Sequence, residues 1–208
     1  MPVPSELQPR VLLTAYASGA FPMPDPEDES RLLWFAPDPR GLLPLDERFH
    51  ISRRLARTIR QGRFACTLDR DFAGVMRACG RRDEGTWISA DFLAAYAWLH
   101  ELGFAHSVEA WPADAAGKAV VDLGVGPVGG AYGVALCGAF FAESMFHTKT
   151  DAGKMALVHL VGHLRAKGFS LCDVQWLTPN LERFGAFEIP RAEYMQHLAE
   201  ALGRQARF

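Results

Sequence analysis

No apolar run in this 208-residue chain approaches the roughly 20 residues that a membrane-spanning helix requires, because Lys, Arg, Asp, Glu or Pro interrupts every candidate. No membrane association is expected. The segment Met1 to Gln8 lacks the charged and then apolar order of a secretory leader, so a cytoplasmic location is expected. Cysteine is scarce and scattered. Cys66, Cys79, Cys137 and Cys172 form no C-x-x-C pair and no disulfide framework, and they are expected to be reduced and mostly buried. A large excess of one charge is missing too: 22 basic against 24 acidic residues leave a net charge of -2. That balance argues against a surface that grips nucleic acid everywhere, while leaving room for a local basic patch. Internal repeats and low-complexity tracts are absent.

What is present is a foldable composition, 49% hydrophobic and 22% charged, which excludes a disordered or fibrous chain. The length suits one sizeable core, alone or with a small accessory lobe. Near the start, Leu12 and Tyr16 recur at helical spacing within Val11 to Ser18, and Leu32 to Phe35 reads as a short strand stopped by Pro37 and Pro39. Between them Pro22, Pro24, Pro26, Asp25, Glu27, Asp28 and Glu29 predict an exposed loop over Pro22 to Ser30. A helix is expected from about Ser52 to Gln61.

The second half has a clearer rhythm. Ser89 caps a helix with the apolar stripe Phe92, Tyr96 and Leu99, ended by Gly103. Ala105 to Trp111, Val128 to Ala135 and Gly138 to Met145 read as a three-stranded meander with a Gly-rich, mobile first connection. Asp151 then precedes a helix carrying Leu157, Leu160, Val161 and Leu164 on one face, closed by Gly168 before the strand Leu171 to Trp176. Strand, helix, strand implies a parallel crossover. A last helix spans about Arg191 to Leu202. Meander plus crossover is the layout of acetyltransferase-type N-acyltransferases, which by itself is an analogy of fold.

Residues two apart on a strand share a face, so Asp173 and Gln175 are expected to point one way, and Val174 and Trp176 the other. The polar pair either lines a cleft or is merely a solvated strand edge. Glu143 stands amid Phe140, Phe141, Met145 and Phe146, where a carboxylate is costly to bury without a partner. It is either functional or one half of a structural salt bridge. His159 and His163 lie at i, i+4, but no general base and no third ligand accompany them, so no metal is expected. Gly153 and Lys154 resemble the tail of a phosphate loop, yet Thr148 and Met155 stand where that motif needs Gly and Ser or Thr. Ser144 with His106 or His147 lacks the strained turn of a hydrolase nucleophile. The basic patch is stronger: Arg53, Arg57 and Arg60 fall on one helix face, with Arg54 and Arg63 close by and no acid between His50 and Arg63. Such a face either binds phosphates or is simply solvated. Lys149 and Lys154 flank the start of the helix after Asp151, where free amides favour an anion.

With these residues in place, the chain resembles the leucyl/phenylalanyl-tRNA-protein transferases. The match runs in order through Trp34-Phe35-Ala36-Pro37-Asp38-Pro39-Arg40, His50-Ile51-Ser52-Arg53, Glu84-Gly85-Thr86-Trp87-Ile88, and His100-Glu101-Leu102-Gly103 into Ala105-His106-Ser107-Val108-Glu109. It continues in Gly129-Gly130-Ala131-Tyr132-Gly133-Val134, Glu143-Ser144-Met145-Phe146, Asp173-Val174-Gln175 and Gly185-Ala186-Phe187-Glu188-Ile189-Pro190-Arg191. The resemblance implies an α/β enzyme with an acetyltransferase-like (GNAT-type) mixed sheet and flanking helices over residues 66–208. A small N-terminal lobe with the basic helix would precede it over 1–65. It implies transfer of leucine or phenylalanine, with methionine a further donor, from aminoacyl-tRNA to the N-terminal α-amine of a protein with a basic first residue. Such a tag marks the protein for N-end-rule degradation. An aminoacyl ester is already activated, so no cofactor is expected.

By the same resemblance Gln175 accepts a hydrogen bond from the amine, Asp173 holds the Gln175 side chain, and Glu143 binds the acceptor end. Tyr16, Trp87, Phe140, Met145 and Leu157 form the aminoacyl pocket, and Arg53, Arg54, Arg57, Arg60 and Lys154 meet the tRNA. A monomer is expected. Met23 stands where the best-known members have a tryptophan, Ala131 where they have a methionine, Leu160 where they have a larger aromatic, and Asn180 where a histidine is often seen. The competing readings are an acyl-CoA-dependent N-acyltransferase and a non-catalytic module that binds RNA or peptide.

Overall fold

A computed structural model of the chain describes residues 3–25, 27–28, 31–81 and 86–208. Pro26, Glu29 and Ser30 of the expected loop, and Glu84 and Gly85 of the family motif, lie outside the described residues. In chain order the elements are α1 (Pro9–Ala17), β1 (Phe21–Pro24), β2 (Leu32–Phe35), β3 (Arg40–Leu42), α2 (Arg53–Arg60), β4 (Phe64–Leu68), α3 (Phe72–Cys79) and α4 (Ala90–Glu101). There follow β5 (Ala105–Pro112), β6 (Gly129–Leu136), β7 (Ala139–His147), α5 (Ala152–Ala166), β8 (Leu171–Gln175), α6 (Pro179–Glu182), β9 (Phe187–Ile189) and α7 (Arg191–Leu202). Among the described residues no helix is long and apolar enough to cross a membrane.

Seven strands form one sheet in the order β4-β5-β6-β7-β8-β3-β9. The meander β4 to β7 is antiparallel, and β7 runs parallel to β8 after the α5 crossover. Helices cover both faces. Tyr16, Val75, Phe92, Tyr96 and Tyr194, from α1, α3, α4 and α7, form one core against Tyr132, Val134, Phe141 and Leu171. Leu55 of α2 and Leu157, Leu160, Val161 and Leu164 of α5 form the other, against Val108, Phe140, Cys172 and Val174. This is a mixed sheet with flanking helices, with the meander and parallel crossover expected from the sequence. The strand β3 comes from the first 65 residues yet pairs with both β8 and β9 inside the main sheet.

Two local expectations are corrected. Pro22 and Pro24 do not sit in a loop: Phe21–Pro24 pairs antiparallel with Leu32–Phe35 as a two-stranded ribbon. In an antiparallel ladder every second residue turns its N–H away from the partner, so two prolines at alternate positions of an outer strand remove no ladder hydrogen bond. The meander also has four strands instead of three, because β4, whose residues are half-buried, pairs with β5 over its whole length. Cys79 and Cys172 are buried and Cys66 is half-buried, whereas Cys137 is exposed, at the β6–β7 turn with φ +53°.

Candidate active site

A cavity of about 370 Å³ opens where β7 and β8 part. Their pairing ends at Phe141 opposite Asp173. Two residues further along each strand stand Glu143 and Gln175, which therefore face one another across the split, with Nε2 of Gln175 3.5 Å from Oε1 of Glu143. Because the sheet is open here, side chains from both cores reach one space. Phe21, Met23 and Trp87 line it from one side, and Met145, Leu157, Leu160 and Val174 from the other.

Glu143 has hydroxyl partners. Tyr16 donates to Oε1 at 2.7 Å, Tyr96 lies 3.5 Å from Oε2, and the two phenol oxygens are 2.5 Å apart. Burial disfavours the carboxylate and, with Asp173 nearby, outweighs the Tyr16 hydrogen bond and the Arg40 charge, pushing the Glu143 pKa up to about 7. Burial and the adjacent Glu143 raise both phenols well above the usual tyrosine value, so they remain donors at neutral pH.

Asp173 is fully buried, and its partners are also buried. Arg40 donates from Nε at 2.9 Å to Oδ1 and from Nη2 at 2.6 Å to Oδ2, and Tyr194 donates to Oδ2 at 2.7 Å. Oδ1 also accepts the backbone N–H of Gln175 at 2.8 Å. The contact from Asp173 to Gln175 thus runs through the main chain and not, as the resemblance suggested, to the Gln175 side chain. Strict alternation also fails. Val174, Gln175 and Trp176 all line the cavity, because Gln175 has φ +60° and the strand turns there. Trp176 packs edge-on against Phe21 at 5.1 Å between ring centroids, tying the β1–β2 ribbon to the cavity wall.

Among the residues expected in the pocket, Trp87, Met145 and Leu157 line the cavity. Tyr16 is buried with only its hydroxyl directed at Glu143, and Phe140 belongs to the α5-side core instead of the lining. Met23, Ala131, Leu160 and Asn180 all line it, so the positions where the chain departs from the family pattern shape this space. Sequence reasoning missed Arg40, Tyr96, Tyr194 and Phe21. Arg40 and Tyr194 act on Asp173 from distant segments, which no local pattern signals.

The basic residues lie on α2 and at the start of α5. Ser52 caps α2 by accepting from Leu55 N, and Leu55 and Thr58 are buried, leaving Arg53, Arg54, Arg57 and Arg60 exposed on the outer face. Thr58 donates to Asp151 Oδ2 at 3.1 Å and Arg54 stands 3.9 Å from the same oxygen, which docks α2 on the start of α5. Lys154 is half-buried on the first turn of α5. Leu157, six residues after Asp151 and so about 9 Å along the helix, lines the cavity. The first-turn residues Ala152 and Gly153 are buried against the main chain of Gly129, where an added Cβ would sit 2.6 Å from Gly153 N.

One group among the described residues places three metal-type ligands together, Asp69, His100 and His106. Three of the four ring nitrogens already have hydrogen-bond partners. His106 meets Asp69 at 2.7 Å and Gly103 O at 3.1 Å, and His100 Nδ1 meets Ala105 O at 2.8 Å, which ties the α4–β5 turn to β4.

The family model described as leucyl/phenylalanyl-tRNA protein transferase matches residues 42–199, and the model of that family's N-terminal domain matches residues 5–38. The chain belongs to the leucyl/phenylalanyl-tRNA protein transferase family. Relatives bearing that family name include one from Herpetosiphon aurantiacus, 49% identical over 97% of this chain and 98% of its own. Another, from Cereibacter sphaeroides, is 50% identical over 99% of this chain and 90% of its own. The chain is thus an enzyme of a transferase family whose name implies aminoacyl-tRNA and protein substrates. Among solved structures, L-PGS from Bacillus licheniformis superposes with a TM-score of 0.46 at 11% identity over 80% of this chain. The chain covers 65% of that structure, less than two thirds of it. The cavity between β7 and β8, with Glu143 and Gln175 at its polar end, is the candidate active site.

Proposed function

We propose that this enzyme moves leucine or phenylalanine from aminoacyl-tRNA to the N-terminal α-amine of a protein whose first residue is basic. The observation that carries the reading is the cavity itself, apolar along Met23, Trp87, Met145, Leu157 and Leu160 and polar at Glu143 and Gln175. The donor side chain occupies the apolar part, large enough for Leu or Phe and also for Met, and the RNA lies along Arg53, Arg54, Arg57, Arg60 and Lys154. In the reaction the amine nitrogen bonds to the ester carbonyl carbon, the bond from that carbon to the ribose oxygen breaks, and the proton lost by the amine ends on that oxygen. No nucleotide or metal is required, because the ester supplies the driving force.

A free α-amino group has a pKa near 8 and is largely protonated at neutral pH, so it must lose a proton before attack. Glu143, with a pKa of about 7, is matched to that task and in its ionised form also attracts the cationic acceptor end. Gln175 accepts a hydrogen bond from the amine and fixes its line of attack, a positioning role more than a basic one. Asp173 supports Gln175 from behind. The enzyme works as a cytoplasmic monomer and marks its acceptors for N-end-rule degradation.

The test is transfer of radiolabelled leucine from leucyl-tRNA to peptides beginning with Lys or Arg. Gln175→Ala should abolish transfer while tRNA binding survives. Full activity in that variant, or none in the wild type with any charged tRNA, refutes the assignment. Peptides beginning with Asp or Glu, run in parallel, should not be modified.

A further inference from the structure

Gln175 takes φ +60°, and the next residue, Trp176, donates its N–H to the carbonyl of Val174 at 2.7 Å. Together these define a γ-turn of the positive-φ kind, which is rare and strained for a residue with a side chain. The turn is what brings Val174, Gln175 and Trp176 into one cavity wall, against the alternation of an ordinary strand. Strain of this kind persists only where the surroundings over-determine it.

Those surroundings form a closed chain of contacts. Oδ1 of Asp173 accepts the Gln175 N–H at 2.8 Å, which holds the turn from inside. Arg40 fixes the carboxylate with its forked donors, Tyr194 adds the hydroxyl bond at 2.7 Å, and Nη1 of Arg40 reaches Gly19 O at 3.1 Å. The guanidinium is further sandwiched by the rings of Phe21 and Tyr194, 5.0 and 4.7 Å from its carbon. Opposite the turn lies Gly41, where a Cβ would come within 2.8 Å of the Trp176 carbonyl carbon. Arg40, Asp173 and Tyr194 are fully buried and none lines the cavity, so none of them meets a substrate there.

We propose that Arg40 and Tyr194 are positioning residues of the transfer step, which fix Asp173 so that its carboxylate holds the Gln175 turn and aims the Gln175 amide at the reacting amine. This rests on the function proposed above. It makes the contribution of Asp173 a main-chain one, and it assigns to a buried arginine and a buried tyrosine a part in rate that their distance from substrate conceals. A misplacement of about 1 Å at a reacting centre costs on the order of 100-fold in rate, so loosening the turn should show in kcat and not in binding.

The test uses the full chain with Tyr194→Phe, which removes one hydroxyl and keeps the ring, and Arg40→Lys, which keeps the charge and removes the fork. Three quantities are compared with wild type: kcat and KM for leucyl-tRNA and for a peptide beginning with Lys, and amide hydrogen exchange at Gln175 and Leu171 in the free protein. The expected result for Tyr194→Phe is a kcat about 10-fold lower with both KM values within about 2-fold, and exchange at Gln175 about 10-fold faster while Leu171 is unchanged. Unchanged kcat overturns the proposal. So does a lower kcat with exchange rising equally along β8, since that shows only a weakened fold. If Tyr194→Phe does not fold, Arg40→Lys carries the same comparison. If wild type transfers nothing, the proposed function falls, and exchange still decides this inference, because equal effects at Gln175 and Leu171 refute it without any turnover.

Discussion

Tyr16→Phe removes the hydroxyl that donates to Glu143 at 2.7 Å and leaves the ring in place, 4.8 Å from that of Phe141 between centroids. A hydrogen bond to a charged group contributes about 1.5–3 kcal/mol. Tyr96, 3.5 Å from the other carboxylate oxygen and released from Tyr16, recovers part of this, so the net loss falls just below that range, about 1.4 kcal/mol. That amount raises a pKa by about one, which takes Glu143 from about 7 to roughly 8. At pH 7 the ionised share then falls from about half to roughly a tenth, and kcat/KM for transfer falls about 5-fold. At pH 9 both forms are more than roughly nine-tenths ionised, and the two enzymes should differ by little. The acceptor amine titrates identically in both assays, so the ratio of wild type to variant isolates Glu143. The measurement is kcat/KM for leucyl transfer to a Lys-initiated peptide between pH 5.5 and 9.5. A ratio that stays constant across that range refutes the reasoning, since it would show that the hydroxyl acts on something other than the ionisation of Glu143.

Glu143→Gln should abolish or strongly reduce transfer and yet stabilise the protein at high pH. A carboxyl whose folded pKa is raised binds more protons folded than unfolded, so its ionisation costs stability from its ordinary value of 4.5 up to about 7, and the cost stays constant above that. Gln removes a penalty on the order of 3 kcal/mol at pH 8 and little at pH 4, which urea unfolding at the two pH values measures. Replacing Arg53, Arg57 and Arg60 together by Gln should raise the Kd for tRNA at least about 10-fold at low salt and lower the slope of log K against log salt by roughly 2 to 3. Its melting temperature should be unchanged, since all three side chains are exposed. Ala131 lies opposite Met145 in the β6–β7 register and lines the cavity. Ala131→Met should therefore narrow the space and shift the kcat/KM ratio toward leucyl-tRNA over phenylalanyl-tRNA by about 10-fold.

The amino-acid sequence alone made legible the elements with strong periodicity and clean punctuation. Ser89 and Gly103 bracket α4, Asp151 and Gly168 bracket α5, and the crossover they imply makes β7 and β8 parallel. It also brought out Glu143 as a carboxylate among aromatic side chains and the arginines of α2 as one basic face, because composition and spacing within a few residues carry both signals. The prolines of β1 misled, since a missing N–H matters only on the side of a strand that has a partner. Short, half-buried β4 left no alternation to read.

How the site is made follows from long-range packing. That pairing of β7 with β8 stops at Phe141 and Asp173, and so opens a cavity between Glu143 and Gln175, depends on where two strands separated by a helix diverge. That Glu143 is held by Tyr16 and Tyr96, 127 and 47 residues away in sequence, is likewise a product of packing. The buried fork of Arg40 on Asp173 spans 133 residues and sets the left-handed backbone at Gln175. A local pattern cannot encode such contacts, because each is an ordinary residue until the fold removes water from around it and leaves it only the partners that packing supplies.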